Sequence, residues 1–271
     1  MKNILILPVL LLAITSCSKY QINVLSSTNM QKNPETGKFT TENDSMKITY
    51  SFFGRNAPIN LEVYNKLNEP LYIDWQRSAF IINDKAVSYA SNQVNITGEV
   101  SGSSVGNKNI SFSSGSIDAV AALPKNTVFI PPHTLVNNTL LEVSDQFINT
   151  EYFGVTEKKE IPSLSISGTS AVKIGEFTQD KSPLNFKSYL SLYTLNGNVP
   201  KYASYQHGFF VSKVISTGEE PENFDFFPAR RGDFFYTSKA TDGGKIATGV
   251  GLAALVVGAA ALNASQDHHV K

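Results

Sequence analysis

The feature that most restricts the fold of this chain is a strict alternation of apolar and polar side chains that begins at Met46. Met46, Ile48, Tyr50 and Phe52 alternate with polar residues, and the same period of two returns over residues 59 to 63. A period of two predicts a half-buried β-strand, with one face on a core and the other in solvent. The abundance of Ser, Thr, Asn and aromatic residues also favours β structure with polar loops.

Strand-like segments separated by turn residues continue along the chain as far as Thr237. We predict further strands at residues 71–75, 79–82, 126–130, 139–143, 171–177, 185–195, 208–216 and 234–237, with turns at 65–70, 83–85, 131–134 and Asn196-Gly197. The only helical element expected between Met46 and Thr237 is a short turn within residues 141–156. This succession of short strands and turns predicts one all-β domain over residues 46–238, an antiparallel, immunoglobulin-like β-sandwich.

Residues 91 to 116 consist mainly of Ser, Gly and Asn, with only thin alternation of apolar side chains. They form either a long loop or a weakly hydrophobic hairpin at the rim of the domain. We favour the loop, and long loops in compact domains are usually functional or disordered.

The N-terminus has the layout of a secretory signal over residues 1–16. Lys2 is followed by an apolar run from Ile4 to Ile14, which is too short to cross a hydrocarbon core of ~30 Å. The sequence Ile14-Thr15-Ser16-Cys17 looks like a bacterial lipobox, in which the cysteine becomes the new N-terminus and carries lipid. An ordinary signal peptide with a cysteine there by accident is the alternative. Because Cys17 is the only cysteine of the chain, we predict its lipidation with a diacylglycerol and a further acyl chain such as palmitate, a firm membrane anchor.

The rest of the N-terminal region fits an exported protein with a lipid anchor. A single cysteine excludes a disulfide framework and thiolate metal sites. Residues 17–45 are polar and are expected to form a flexible tether, within which Ile22 to Leu25 could form a short strand. The residues directly after Cys17 lack an acidic run of the kind that sends some lipoproteins to the cell surface. We therefore favour the periplasmic face of the outer membrane of a bacterial cell envelope, with display at the cell surface as the alternative.

A second segment of interest runs from Ile246 to Ala264, nineteen residues without a charge. As a helix it would be about 28 Å long, close to the thickness of a bilayer core. Ala and Gly supply most of it, which weakens its drive to insert. Three interpretations remain: a membrane-associated helix, which we favour, a helix packed on the domain or a partner, and a flexible tail. A polar tail of residues 265–271 follows.

The search for chemistry gives few candidates. The 23 basic and 23 acidic residues balance, so there is no electrostatic reason to expect nucleic acid. No metalloprotease, nucleophile-elbow, P-loop or dinucleotide motif is present. His133 lies in a predicted turn and His207 at the entry to a predicted strand, where ordinary structural roles suffice. We predict no catalytic residue, no cofactor and no metal.

The most site-like pair of residues is Asp74 and Trp75. A carboxylate beside an aromatic ring suits contact with a sugar or a peptide, although such a tryptophan more often belongs to a core. We assign both as weak candidates for ligand binding. The triplet Arg231-Gly232-Asp233 matches a cell-adhesion motif, and we interpret it as a coincidence.

Several segments together resemble uncharacterised lipoproteins of Bacteroidetes. They are the lipobox with its tether, Asn60 to Asn65 leading into Pro70 to Trp75, the Ile130-Pro131-Pro132 turn, Ser182 to Phe186, and Phe209 to Ser212. The resemblance covers about two thirds of the chain. It implies a β-sandwich on a lipid anchor, with no known activity and no functional residue.

These observations predict a binding or assembly component of the cell envelope that is not an enzyme. Its expected partners are membrane lipid through Cys17 and a second membrane or helix contact through residues 246–264. The alternative is a hydrolase or a carbohydrate-active accessory lipoprotein with a loop-built site. Carboxylates or histidines that converge in one pocket would favour the alternative.

Overall fold

The computed structural model describes residues 18–90, 95–107, 110–122, 126–149, 157–164, 168–224, 226–227 and 229–240, with the backbone alone over 95–122. Cys17 and residues 246–264, on which two predictions rest, lie outside these ranges. Most of the described residues are in strands. Their only helical elements are two short 3-10 helices, Gln179–Lys181 and Pro221–Asn223.

The described part of the chain forms seventeen strands. They are β1 (Ser18–Ser27), β2 (Gln31–Lys32), β3 (Phe39–Glu42), β4 (Met46–Ser51), β5 (Gly54–Arg55), β6 (Pro58–Asn65), β7 (Leu71–Ile82), β8 (Lys85–Ser88), β9 (Asn95–Asn107), β10 (Ile110–Ala122), β11 (Thr127–Ile130), β12 (Leu135–Glu142), β13 (Glu157–Pro162), β14 (Thr169–Glu176), β15 (Asn185–Asn196), β16 (Val199–Thr217) and β17 (Phe234–Ala240).

The strands are arranged in two main sheets and one hairpin. The larger sheet has ten strands, with the order β11-β7-β15-β16-β1-β17-β5, to which β8, β13 and β14 are attached. The smaller sheet has five strands in the order β12-β6-β4-β3-β2. Neighbouring strands are antiparallel, except for the short parallel pair β17 and β5. The all-β class and the antiparallel two-sheet arrangement expected from the sequence are therefore confirmed.

Aromatic side chains join the two sheets in one core. Phe209 of β16 packs edge-on against Phe39 of the smaller sheet, with ring centroids 5.3 Å apart. Phe52, which directly follows the smaller sheet's β4, lies 4.9 Å from Phe209 and 5.5 Å from Phe186 of β15. All four rings are almost fully buried. Burial of such large apolar surfaces is the main stabilising contribution in a fold of this kind.

The predicted strands at 71–75 and 79–82 form one continuous strand, β7, with an irregularity between them. Ser78 bridges this irregularity: its hydroxyl donates to the Asp74 carbonyl at 2.6 Å and accepts the Ser191 amide at 3.0 Å. A side chain therefore replaces the ladder hydrogen bonds where the strand departs from regular pairing.

The segment expected as a flexible tether instead contributes β1 to the larger sheet and β2 and β3 to the smaller sheet. β1 pairs with β16 on one side and with β17 on the other. Ile22 and Leu25 of β1 are fully buried. Gln21 and Asn23 are buried beside them. Because these buried side chains are polar, the sequence here lacks the alternation of apolar and polar residues that predicts a strand. Burial of this apolar surface binds the segment to the domain.

We favoured a loop for residues 91–116, but the described residues of this range belong to the hairpin that was the alternative. β9 and β10 pair in continuous register from Asn107 with Ile110 to Asn95 with Ala122. Backbone hydrogen bonds between two long strands can form with Ser and Gly side chains, which alternation of apolar residues does not detect. The short helical turn predicted over 141–156 is not found in its described part, since Leu141 and Glu142 belong to β12 and residues 143–149 contain no helix.

Candidate functional site

Four aromatic side chains form a row across the outer face of the larger sheet. Phe129, Tyr72, Tyr193 and Tyr202 lie on the neighbouring strands β11, β7, β15 and β16, and each is directly opposite the next in the ladder. Residues that are directly opposite point to the same face. Tyr72 lies between two buried residues of β7, so this face points away from the core.

The rings of this aromatic row contact one another in sequence. Tyr72 and Tyr193 are stacked, with centroids 4.8 Å apart and ring planes within 8°. Phe129 is tilted against Tyr72 at 5.5 Å, and Tyr202 against Tyr193 at 5.1 Å. Because the two middle rings cover each other's faces, the end rings are the more accessible: Phe129 is 51% exposed and Tyr202 39%.

A charged pair borders the row at the Tyr202 end. The guanidinium of Arg77 lies 4.3 Å from the centre of the Tyr202 ring. The Tyr202 hydroxyl donates to the Asp74 carboxylate at 3.3 Å, and Arg77 lies 3.7 Å from the same carboxylate. A cation over the face of an aromatic ring is attracted by the ring quadrupole. The row therefore combines apolar surface with a carboxylate, a guanidinium and hydroxyl groups.

The two weak candidates for ligand binding do not share one site. Asp74 faces outward and joins the aromatic row, whereas Trp75 faces inward and is only 5% exposed. The Trp75 ring packs edge-on against Tyr89 in the core, with centroids 6.2 Å apart. Neighbours along a strand point to opposite faces, and this separates the pair.

His133 and His207, the two histidines among the described residues, contact other side chains of the domain. His207 lies within β16, buried, with Nδ1 3.3 Å from the Tyr50 hydroxyl. Tyr50 and Tyr89 both contact the Ser188 hydroxyl at 2.9 Å, which completes a buried polar network. Burial lowers the pKa of His207 to about 4 because it disfavours the charged imidazolium. His133 lies in the predicted turn, with Nε2 2.8 Å from the Asn68 side-chain oxygen.

The Arg-Gly-Asp triplet has an internal role. Asp233 is only 1% exposed, and its carboxylate binds Lys32 at 3.1 Å and Arg231 through two bonds of 3.0 and 3.1 Å. Arg231 also donates to the Pro34 carbonyl. These bonds join the turn before β17 to β2 and to the loop between β2 and β3, so this carboxylate is not available to a partner.

No protein-family model, curated protein or solved structure matches this chain. Among the residues that the structure describes, no three His, Cys, Asp or Glu side chains are grouped so that they could hold a metal ion. In the same ranges, no helix has the length and apolar character needed to cross a membrane.

Sequence reasoning found one member of the aromatic site, Asp74, and missed the four rings. Tyr72 and Tyr193 each occupy a position that the alternation assigns to the solvent face, whereas Tyr202 precedes the predicted strand 208–216. An exposed aromatic residue at such a position was the available signal. The row itself depends on the register between strands that are far apart in sequence.

Proposed function

We propose that this protein is a membrane-anchored binding component of a bacterial cell envelope and that it binds a glycan through the aromatic row. The proposal includes lipidation at Cys17, residence in the envelope, kinship with the Bacteroidetes lipoproteins that the sequence resembles, and an immunoglobulin-like form of the sandwich. The observation that carries the binding role is the exposed row formed by Phe129, Tyr72, Tyr193 and Tyr202. A contiguous apolar patch on a protein surface commonly marks an interaction site.

The chemistry at the border of the row favours a glycan. Sugar rings present C–H groups, which pack on the electron-rich face of an aromatic ring. Their hydroxyl groups need donors and acceptors nearby. Asp74 and Arg77 supply both, and Thr127 lies directly opposite Asp74 on the edge strand β11. Phe129 is the ring with the most accessible surface, so we assign it the stacking contact.

A row of this kind suits an extended ligand. The four strands that carry the rings span roughly 14 Å at a strand spacing of about 4.8 Å. This length corresponds to several sugar units rather than one. The proposal is for binding and not for hydrolysis, since it assigns no group to proton transfer.

The experiment is native gel electrophoresis through gels that contain one of a panel of soluble polysaccharides. We expect at least one polysaccharide to slow the migration of the protein. Phe129→Ala should weaken this binding by about ten-fold, because a stacked aromatic contact contributes up to about 1.5 kcal/mol. The matched control is Leu164→Ala, which removes an exposed apolar side chain outside the row. The proposal fails if no polysaccharide slows the protein, or if the control weakens binding as much as Phe129→Ala.

A further inference from the structure

A cleft of about 830 Å³ opens on the larger sheet at the end where β1 begins. Its charged lining consists of one glutamate and five lysines, namely Glu160, Lys19, Lys158, Lys159, Lys173 and Lys239. Lys159 is paired with Glu157 at 2.8 Å, so the other four lysines and Glu160 give the lining a formal charge of +3, in a chain whose net charge is zero. This is a local concentration of positive charge that the composition does not reveal.

The cleft is built by a buried glutamine of β1. The Gln21 side-chain amide donates to the Ile148 carbonyl at 2.7 Å and accepts the Ile148 amide at 2.7 Å. Gln21 also donates to the Ser216 hydroxyl at 3.2 Å. These bonds hold the chain around Ile148 over the sheet as one wall of the cleft. Phe147, Ile148 and Val172 add apolar surface to the lining.

Four of the lysines form two like-charged pairs across the ladder. Lys19 is directly opposite Lys239, and Lys158 is directly opposite Lys173. Like charges at directly opposite positions are destabilising. Both pairs lie on the face that carries Gln21, because Lys173 pairs with Ser216, and Ser216 pairs with Gln21. From the strand geometry, the Cα atoms of Lys19 and Lys173 are separated by roughly 12 Å.

We propose that this cleft is a second binding site, which takes a phosphate-bearing ligand with an apolar portion. A phosphate group beside Lys19 and Lys239 would offset the mutual repulsion of these two side chains and accept several charge-assisted hydrogen bonds. The apolar lining near Ile148 would contact the rest of the ligand. The volume lies within the range of sites for small molecules and cofactors, about 300 to 1,000 Å³. The phosphate can belong to a lipid headgroup or to a soluble compound, and the test separates these two sources.

The position of the cleft in the chain favours a headgroup, on the proposed anchorage. Lys19 is two residues after Cys17, and two residues span at most about 7 Å. A lipid on Cys17 would bring the lysines to the level of the headgroups, where basic side chains are attracted to anionic lipids. The binding chemistry of the cleft itself does not depend on the anchor.

The test uses the chain from residue 17 onward with Cys17→Ser, which cannot be acylated and retains every described strand. Flotation is measured with phosphatidylcholine vesicles that contain or lack phosphatidic acid. Titration calorimetry with pyrophosphate, without vesicles, tests the soluble source. We expect preferential binding to the anionic vesicles. Replacing Lys19 and Lys239 together with alanine should weaken it by about thirty-fold, since each lysine near an anionic surface contributes about 1 kcal/mol.

The control replaces Lys85 and Lys187 with alanine, which makes the same change in net charge outside the cleft. Binding of pyrophosphate that depends on Lys19 and Lys239 would support a soluble phosphate as ligand, and binding of vesicles alone would support a headgroup. The proposal is overturned if neither probe binds, or if the control weakens binding as much as the cleft variant. Failure of the polysaccharide experiment leaves this result unaffected, because the two tests use different residues.

Discussion

Replacing Gly37 with alanine should destabilise the domain through the buried carboxylate of Asp233. Gly37 has a φ of +65°, a conformation that glycine adopts readily and other residues adopt at a cost. A Cβ atom at this position would lie 2.7 Å from Cγ of Asp233 and still closer to Oδ1. The carboxylate would have to move away from Arg231 and Lys32, the two cations that it binds.

The expected cost has two parts. The left-handed conformation costs an alanine about 1 kcal/mol. Displacement of the carboxylate should cost about 2 kcal/mol more, the typical contribution of one hydrogen bond to a charged group. The free energy of unfolding should therefore fall by about 3 kcal/mol, and the melting temperature by about 6 to 12 °C for a domain of this size. Ala57 already has a φ of 57° in this chain, so the conformational part alone is compatible with folding.

A double-mutant cycle separates the two parts. In an Asp233→Ala background the carboxylate is absent, and Gly37→Ala should then cost only about 1 kcal/mol, so the coupling is about 2 kcal/mol. Urea unfolding can be followed by the fluorescence of Trp75, the single tryptophan of the chain, which is buried in the core. If Gly37→Ala costs the same in both backgrounds, the clash with Asp233 is refuted as the cause.

Two further predictions concern pH and lipid. The pKa of His207 falls from its ordinary 6.5 to about 4 in the folded state, so the protein should lose stability as the pH falls from 6.5 towards 4, by roughly 2 kcal/mol at pH 5. Urea unfolding at pH 7.5 and pH 5 should show this loss, and a His207→Asn variant that loses as much as the wild type would contradict it. In bacteria fed an alkyne analogue of palmitate, the wild type should become labelled and Cys17→Ala should not. Equal labelling of both proteins would exclude Cys17 as the acylated residue.

The strands that could be predicted from the sequence are those whose polar and apolar faces differ. In β6, each position from Pro58 to Asn65 alternates between partly exposed and buried, and the sequence shows the same alternation over residues 59–63. β1 could not be predicted over its whole length, because Gln21 and Asn23 are polar and yet buried. A buried polar side chain is tolerated where it has partners, and the partners of Gln21 lie 127 and 195 residues away.

The candidate sites also depend on contacts between residues that are distant in sequence. Asp74 was predicted as a binding residue because an aromatic residue is next to it in sequence, but Trp75 faces the core. The rings that accompany Asp74 in the structure come from three other strands as well as its own. The lysines of the cleft also come from several strands. Neither group can be recognised without the pairing of strands that are distant in the chain.

The long strand β16 determines how the two proposed sites can work together. Tyr202 of the aromatic row and Ser216 of the lysine cleft are fourteen residues apart on this strand, a contour distance of roughly 45 Å. They also lie on opposite faces, because an irregularity in β16 between Val211 and Lys213 inverts the alternation. Tyr202 points outward, whereas Ser216 lies two residues after Val214, a member of the main core. On the proposed anchorage at Cys17, the cleft lies near the headgroups, and the row lies at the other end of the same strand. β16 would then separate a glycan-binding surface from the lipid-binding cleft along the length of one strand.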